Sequence, residues 1–370
     1  MSKIYSVAVM GLGVRGKTHL KGLLENADRF QVVALCDIDQ AKMEAVAEQL
    51  HLQIPLFTDA ETMLQSTRPD IFVFVTYPNI RLSMVQLAIK YNVKALSFEK
   101  PMAEDMKEAK EMTDLCTTHN IKAIVCHQQK YLSQMQNLKK KIEDGNLGKL
   151  KKVFAETQPW LAQLGTHYID YIIWANGGAQ AKWVVGHVHG PATLKDNHPS
   201  PDFLLGEIGF ENGVRGYIEC GYLSERHNPE MYADSDNRLT VWGTNGYAYA
   251  ETDGFWGECD KSTGGELIEG KEPGWYNHQE KQIQTPYYRE FADWLDDDAK
   301  IHSCNIQTAF HGYEILEAIC ISALDNVRVD LPLQNFDYEP VLKRMEKELP
   351  NCGTVLRSLY TGEEPREERD

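Results

Sequence analysis

The first 126 residues alternate short, mostly apolar runs with longer stretches whose apolar residues recur at helical spacing. The runs are Ile4 to Met10, Gln31 to Cys36, Leu56-Phe57, Ile71 to Val75, Val93 to Phe98 and Ile121 to Cys126. Each has the length of a strand and too little polar alternation for a solvated face. Between them lie Lys17 to Glu25, Asp39 to His51, a short stretch from Asp59, Ile80 to Tyr91 and Asp105 to His119. In the second of these Met43, Val46, Ala47 and Leu50 share one helical face, and Asp39 is placed to cap the N-terminus. Strands buried on both faces and separated by helices predict a parallel sheet covered on both sides.

After His127-Gln128-Gln129 the pattern changes. A helix from Leu132 to Asp144 is expected to stop at Gly145, and strands then recur with hairpin turns. Leu204, Ile208 and Phe210 alternate with Glu207 and Glu211, Asn212-Gly213 makes the turn, and Val214, Gly216, Ile218 and Cys220 return. Arg238 to Gly243, Asn245-Gly246 and Tyr247 to Glu251 form a second hairpin, so an antiparallel sheet with one apolar face is predicted. Helices Tyr287 to Asp296 and Gln307 to Val327 follow. The expected fold class is α/β: a nucleotide-binding domain over 1–126, an α+β domain with a large, open, mainly antiparallel sheet over 127–360, and a polar tail over 361–370.

The first strand delivers Gly11-Leu12-Gly13-Val14-Arg15-Gly16 and a helix follows. Gly11 permits the tight turn, Gly13 lets the backbone approach a pyrophosphate, Gly16 allows close helix packing, and the helix N-terminus offers free N–H groups to phosphates. The second strand ends at Asp37, 21 residues past Gly16, where a carboxylate can accept from the ribose hydroxyls of a dinucleotide. Ile38 stands where a 2′-phosphate would want a small polar or cationic neighbour, so NAD is expected over NADP. Arg15 is the residue that would keep NADP possible, by pairing with that phosphate.

The strand over Val93 to Phe98 releases Glu99-Lys100-Pro101 at its C-terminal end, where open α/β sheets bind ligands. Pro101, lacking an N–H, ends the ladder. A formal charge of −16 excludes phosphate backbones and anionic membranes as natural partners. Met1-Ser2-Lys3 leads straight into a strand, and no window has the length of a membrane span, so a soluble cytoplasmic protein is expected. The eight cysteines form no Cys-x-x-Cys pair, and His187 with His189 lacks a matched third ligand, so they read as reduced packing residues with no metal site.

With the glycine loop, Asp37, Glu99-Lys100-Pro101 and Gly165-Thr166-His167-Tyr168-Ile169-Asp170 in hand, the chain resembles the Gfo/Idh/MocA oxidoreductases. His127-Gln128, Gly145-Asn146-Leu147-Gly148 and Asn245-Gly246 extend the resemblance over most of the chain. It implies an N-terminal Rossmann domain, a C-terminal domain on an open antiparallel sheet, and NAD(P)-dependent chemistry on sugars, polyols and related compounds. A homodimer or homotetramer, assembled through that sheet, is also implied. The cofactor would be held by Gly11, Gly13, Val14, Arg15, Gly16, Asp37, Ile38, Thr76, Tyr77, Asn79, Glu99, Lys100 and Gln128. The resemblance makes Lys100 and His167 catalytic, acting on one proton-transfer event.

Two positions depart from the family: Gln163 stands where many members have Asp, and Leu82 where they often have His. An amide cannot exchange a proton, so Gln163 is assigned a substrate hydroxyl. The ordinary imidazole pKa of about 6.5 suits His167 as a base, and Lys100 can stabilise a developing alkoxide. Asp170, three residues on, would bind substrate or orient that base. Trp160, Trp256 and Trp275 are each candidates to stack on a sugar ring, with packing the favoured reading of any one of them, and Trp160 is carried forward as a substrate residue. Arg81 reads either as a contact for substrate charge or, in preference, as a surface helix residue. The leading function is an NAD-dependent dehydrogenase of a sugar, sugar acid or cyclitol. The alternatives are a glycosidase using NAD for transient oxidation and a non-catalytic NAD-responsive binding protein.

Overall fold

A computed structural model describes residues 3–158, 161–195, 199–228, 236–274 and 282–349. Trp160, Trp275 and the tail over 361–370 lie outside the described residues, as does the side chain of Gln163. The chain forms two compact units, residues 1–131 with 278–310, and residues 132–277 with 311–370.

The first unit carries six parallel strands, β1 (Tyr5–Met10), β2 (Phe30–Cys36), β3 (Leu56–Phe57), β4 (Ile71–Phe74), β5 (Ala95–Phe98) and β6 (Lys122–Val125), in the order β3-β2-β1-β4-β5-β6. Every residue of β4 and β5 is buried, as expected of strands covered on both faces. The connecting helices are α1 (Val14–Leu24), α2 (Gln40–Gln49), α3 (Ala60–Thr67), α4 (Arg81–Lys90) and α5 (Met106–Thr118). Asp39, Asp59 and Asp105 cap α2, α3 and α5, accepting from the backbone N–H of Lys42, Thr62 and Glu108 at 3.0, 2.7 and 2.9 Å. Each cap contributes roughly 1 kcal/mol relative to alanine. The strand order reverses between β1 and β4, the position at which such sheets open a crevice for ligands.

The division expected after residue 126 leaves out a return of the chain. Residues 127–131 stay with the parallel sheet, and 278–310 come back to it through helix α8, which is numbered here in chain order and spans Gln284–Asp296. Tyr287, Tyr288 and Phe291 of α8 are fully buried, and at Gly22 of α1 a Cβ would come within 2.8 Å of Gln284, so glycine permits this close approach. Arg29 fixes the far end by donating to Asp293 and Asp296 at 3.2 and 2.7 Å. The apolar periodicity of α8 predicts a helix but does not say which unit it covers.

The second unit begins with α6 (Ser133–Glu143) and holds α7 (Thr166–Ala175), and its sheet has nine strands among the described residues. They are β7 (Leu150–Thr157), β8 (Ala181–His189), β9 (Phe203–Phe210), β10 (Arg215–Gly221), β11 (Asn237–Gly243), β12 (Gly246–Glu251), β13 (Phe255–Asp260), β14 (Ile268–Lys271) and β15 (Val329–Asp330). Their order is β14-β13-β12-β11-β7-β10-β9-β8-β15, and among the described residues only β7 and β10 pair parallel. The predicted hairpins are present, with Ile208 opposite Gly216 and Gly213 at a φ of 83° that the turn requires. Val153, Ala155, Leu204, Ile208, Ile218, Leu239 and Val241 are all buried. Elsewhere in the sheet Lys152 lies over Trp242 at 3.8 Å, and Arg215 and Arg328 lie over Trp183. Helix α9 (Ile306–Asp325) is joined to β8 from residue 311 onward, where His311 accepts from the Ala181 N–H at 2.9 Å. The last helix is α10 (Val341–Glu348). Among the described residues no helix is long and apolar enough to cross a membrane.

Candidate active site

At the turn after β1 the glycines serve three separate needs. Gly11 has a φ of 84°, and a Cβ there would lie 2.2 Å from the Val75 carbonyl oxygen. A Cβ on Gly16 would lie 1.8 Å from the Gly11 carbonyl oxygen, so the helix start is packed directly on the turn. A Cβ on Gly13 would meet nothing within 4 Å. The second glycine therefore fronts open space, at a helix N-terminus whose backbone has no side-chain cap.

Asp37 ends β2 with its carboxylate turned back under this loop, accepting from Leu12 N–H at 2.7 Å and Asp39 N–H at 3.1 Å, with Lys42 Nζ at 3.4 Å. Burial works against its ionisation, but these two N–H groups and the ammonium outweigh it and hold the carboxyl below the usual range. Around the loop the apolar side chains Val14, Ile38 and Tyr77 are 74, 89 and 76% exposed. Thr76, just past β4, keeps a buried hydroxyl with no partner among the described residues. Open space at Gly13, uncapped N–H groups, an ionised Asp37, exposed apolar surfaces and an unsatisfied hydroxyl together fit a dinucleotide: phosphates on 13–15, a ribose at Asp37, and flat rings against Ile38 and Tyr77.

Glu99 is buried, and Oε1 is shared by Arg15 Nε and His19 Nε2, each at 3.1 Å. Burial opposes its charge, yet Arg15, His19 and Lys100 keep the carboxyl well below the usual range. Burial pushes the His19 imidazole down, so a neutral ring fits: Nε2–H donates to Glu99 and Nδ1 accepts from the Tyr288 hydroxyl at 2.6 Å. Gln128, with its amide oxygen toward Arg15, accepts from Nη2 at 2.8 Å. Arg15 is thus committed to Glu99 and Gln128 and does not take the role that would favour a 2′-phosphate. His19, Glu99 and Cys126 offer ligand atoms within 4.8 Å of one another. The carboxylate is already neutralised by Arg15, and burial pushes the Cys126 thiol up, away from the thiolate a metal needs.

Lys100 follows, half-buried, with a cis bond to Pro101. Burial first, then the Arg15 and Arg81 cations, push its ammonium down to about 8, and Glu99 opposes them. Arg81 corrects the sequence reading: it is 2% exposed, not a surface residue. Its guanidinium turns inward and donates to the Pro101 carbonyl and, at 2.6 Å, to the Thr76 carbonyl. Asn79 lies in the short turn Pro78–Ile80 that leads into α4.

In the second unit His167 is the second residue of α7 and is 3% exposed. Its Nδ1 lies 3.0 Å from the Tyr171 hydroxyl, one helical turn on. Tyr168 is fully buried and bonds Thr252 at 2.8 Å, which ties α7 to the end of β12. Asp170, three residues after His167 in the same helix, is fully buried.

Sequence reasoning missed His19, Gln284, Tyr288 and Tyr171. His19 lies on the buried face of α1 with Leu20 and Leu23, so its spacing is that of a core residue. Gly22 was the one available signal, because a glycine inside a helix marks a close crossing.

The sequence matches the family model for the Gfo/Idh/MocA oxidoreductase family, NAD-binding Rossmann fold, over residues 5–127, and the Gfo/Idh/MocA C-terminal domain over 135–249. An inositol 2-dehydrogenase/D-chiro-inositol 3-dehydrogenase from Lacticaseibacillus casei is 29% identical over 146 residues, 39% of this chain and 42% of that relative. A D-apiose dehydrogenase from Rhizobium rhizogenes is 23% identical over 330 residues, 81% of this chain and 90% of that relative. An oxidoreductase from Agrobacterium radiobacter, solved with NAD+, L-tartaric acid and magnesium, shares the fold with a TM-score of 0.74 at 16% identity, covering 89% of this chain and 98% of that one. With both domains matched in order, and the glycine loop, Asp37 and Glu99-Lys100-Pro101 set around one sheet reversal, the chain belongs to the Gfo/Idh/MocA family of NAD-binding oxidoreductases.

Proposed function

We propose that this protein is an NAD-dependent dehydrogenase that moves a hydride between the nicotinamide and a CH–OH carbon of a sugar, sugar acid or cyclitol. The observation that carries the reading is Lys100, a half-buried ammonium pushed down to about 8 at the strand end next to the glycine loop. Alcohol oxidation needs a hydride acceptor, which NAD supplies when bound, and a protein group for the hydroxyl proton. Lys100 holds the reacting oxygen and stabilises the developing alkoxide. His167 takes the proton as general base, with the Tyr171 hydroxyl, 3.0 Å from Nδ1, orienting its ring. Gln163 contributes a hydrogen bond to a substrate hydroxyl. The names of the inositol and D-apiose dehydrogenases support the substrate class.

A panel of sugars, sugar acids and cyclitols with NAD, followed by NADH absorbance beside a glycoside-release assay, tests this. Net NADH from at least one compound is expected. Glycoside release without net NADH would replace the dehydrogenase by an enzyme that returns its hydride.

Cofactor choice gives a second expectation. An ionised Asp37 beside a 2′-phosphate repels it, and Arg15 is held by Glu99 and Gln128, so NAD should bind more tightly than NADP. Repulsion of roughly 1–4 kcal/mol at about 4 Å corresponds to a preference of about fivefold or more. Calorimetric titration of both cofactors checks it, and Asp37→Ser should narrow the gap. Equal affinities would mean that Lys42, 3.4 Å from Asp37, compensates the phosphate.

A further inference from the structure

We propose that Arg81 is a positioning residue that clamps the loop after β4 to the Lys100–Pro101 turn and so holds Lys100 in its working place. The inference rests on the reading of Lys100 as the group that acts on the reacting oxygen.

Arg81 opens α4, where the helix dipole disfavours a cation, and it is 2% exposed. Both placements cost stability, and a buried cation costs most when it lacks a paired carboxylate. Its bonds go instead to two backbone carbonyls, Thr76 from the β4 loop and Pro101 from the β5 loop, and its Nε has no partner among the described residues. Burial lowers its pKa to about 10, which still leaves it charged at neutral pH. Filling this space alone would be done better by methionine. What methionine lacks is a planar fork that reaches two acceptors at once, a geometry that lysine cannot reproduce either. The acceptors flank the two pieces of backbone that carry Thr76 and Lys100.

The same cation acts on Lys100 through space. Among the described residues the charged and titratable groups around that ammonium include Glu99 beside it, Arg15 from α1, Arg81 from α4 and Cys126 after β6. Glu99 and Cys126 favour the charged ammonium, and the two guanidinium groups disfavour it. Removing Arg81 therefore takes away one of two cations that hold Lys100 down. A residue that only supported folding would leave the titration of Lys100 where it is.

The test reads Lys100 directly. The parent, Arg81→Met and Arg81→Lys are acetylated with acetic anhydride over a range of pH, and the rate at Lys100 is followed by peptide mass spectrometry, with circular dichroism to check folding. In Arg81→Met the labelling midpoint should move up from near 8, slowing acetylation below the midpoint by about threefold or more. Arg81→Lys keeps the charge and loses the fork, so its midpoint should stay while kcat, on the best substrate of the panel, falls about tenfold. Added guanidinium should restore part of the activity of Arg81→Ala. A folded Arg81→Met with the parental midpoint and kcat overturns the proposal. If Arg81→Met does not fold, parental kcat in Arg81→Lys overturns it. Lys100→Met separates the two readings: parental kcat there removes Lys100 from the chemistry, whereas loss of kcat there with unaltered Arg81 variants removes only Arg81.

Discussion

Lys100→Met should lower kcat by about two or more orders of magnitude, the usual cost of losing a group that stabilises or moves charge at the reacting atom. NAD affinity should stay close to the parent, because the phosphate and ribose contacts assigned to the glycine loop and Asp37 are untouched. The same substitution should raise thermal stability at neutral pH. The ammonium has a folded-state value of about 8 against 10.5 for an ordinary lysine, so below 8 the protein carries the full cost of burying a charge. Between about 8 and 10.5 the folded protein releases its proton before the unfolded chain does, and the parent gains stability as pH rises. The stability gap between Lys100→Met and the parent, on the order of a few kcal/mol at most, should therefore close across that window. Steady-state rates, calorimetric NAD titration and melting curves over pH check the three parts. A near-parental kcat would move the chemistry away from Lys100.

His167→Ala should also lower kcat by about two or more orders of magnitude, again with NAD affinity kept. Its imidazole is buried at the start of α7, where Nδ1 lies 3.0 Å from the Tyr171 hydroxyl that orients the ring. Tyr171→Phe removes that orienting bond and should cost about tenfold or less, while Gln163→Ala should chiefly raise KM. Rates measured across roughly pH 6 to 9, the range in which imidazole bases titrate, decide the matter. If His167→Ala keeps near-normal kcat throughout, His167 is a structural partner of Tyr171 and the proton leaves by another route.

The alternation of apolar runs and helical stretches was enough to predict the parallel sheet, because strands covered on both faces have a composition that helices and half-buried strands do not share. The glycine loop and Asp37 were legible for a related reason: their spacing is set by local backbone geometry within one βαβ unit. Asp39, Asp59 and Asp105 announced their helices through bonds spanning only three residues. The partners of Glu99 were not legible, since His19 lies 80 residues before it on α1, and the Tyr288 hydroxyl that holds the other nitrogen of His19 arrives only with the return of α8. Arg81 shows the limit most directly. A charged residue at a helix start reads as a solvated one, and local sequence carries no record of two carbonyls, from separate strand ends, waiting beneath it. Burial of a charge is decided by what the rest of the chain places around it, so the sequence determined the sheet, the loop and the cofactor class, while only the tertiary structure decided which charges are buried, which are paired, and what holds Lys100 where it is.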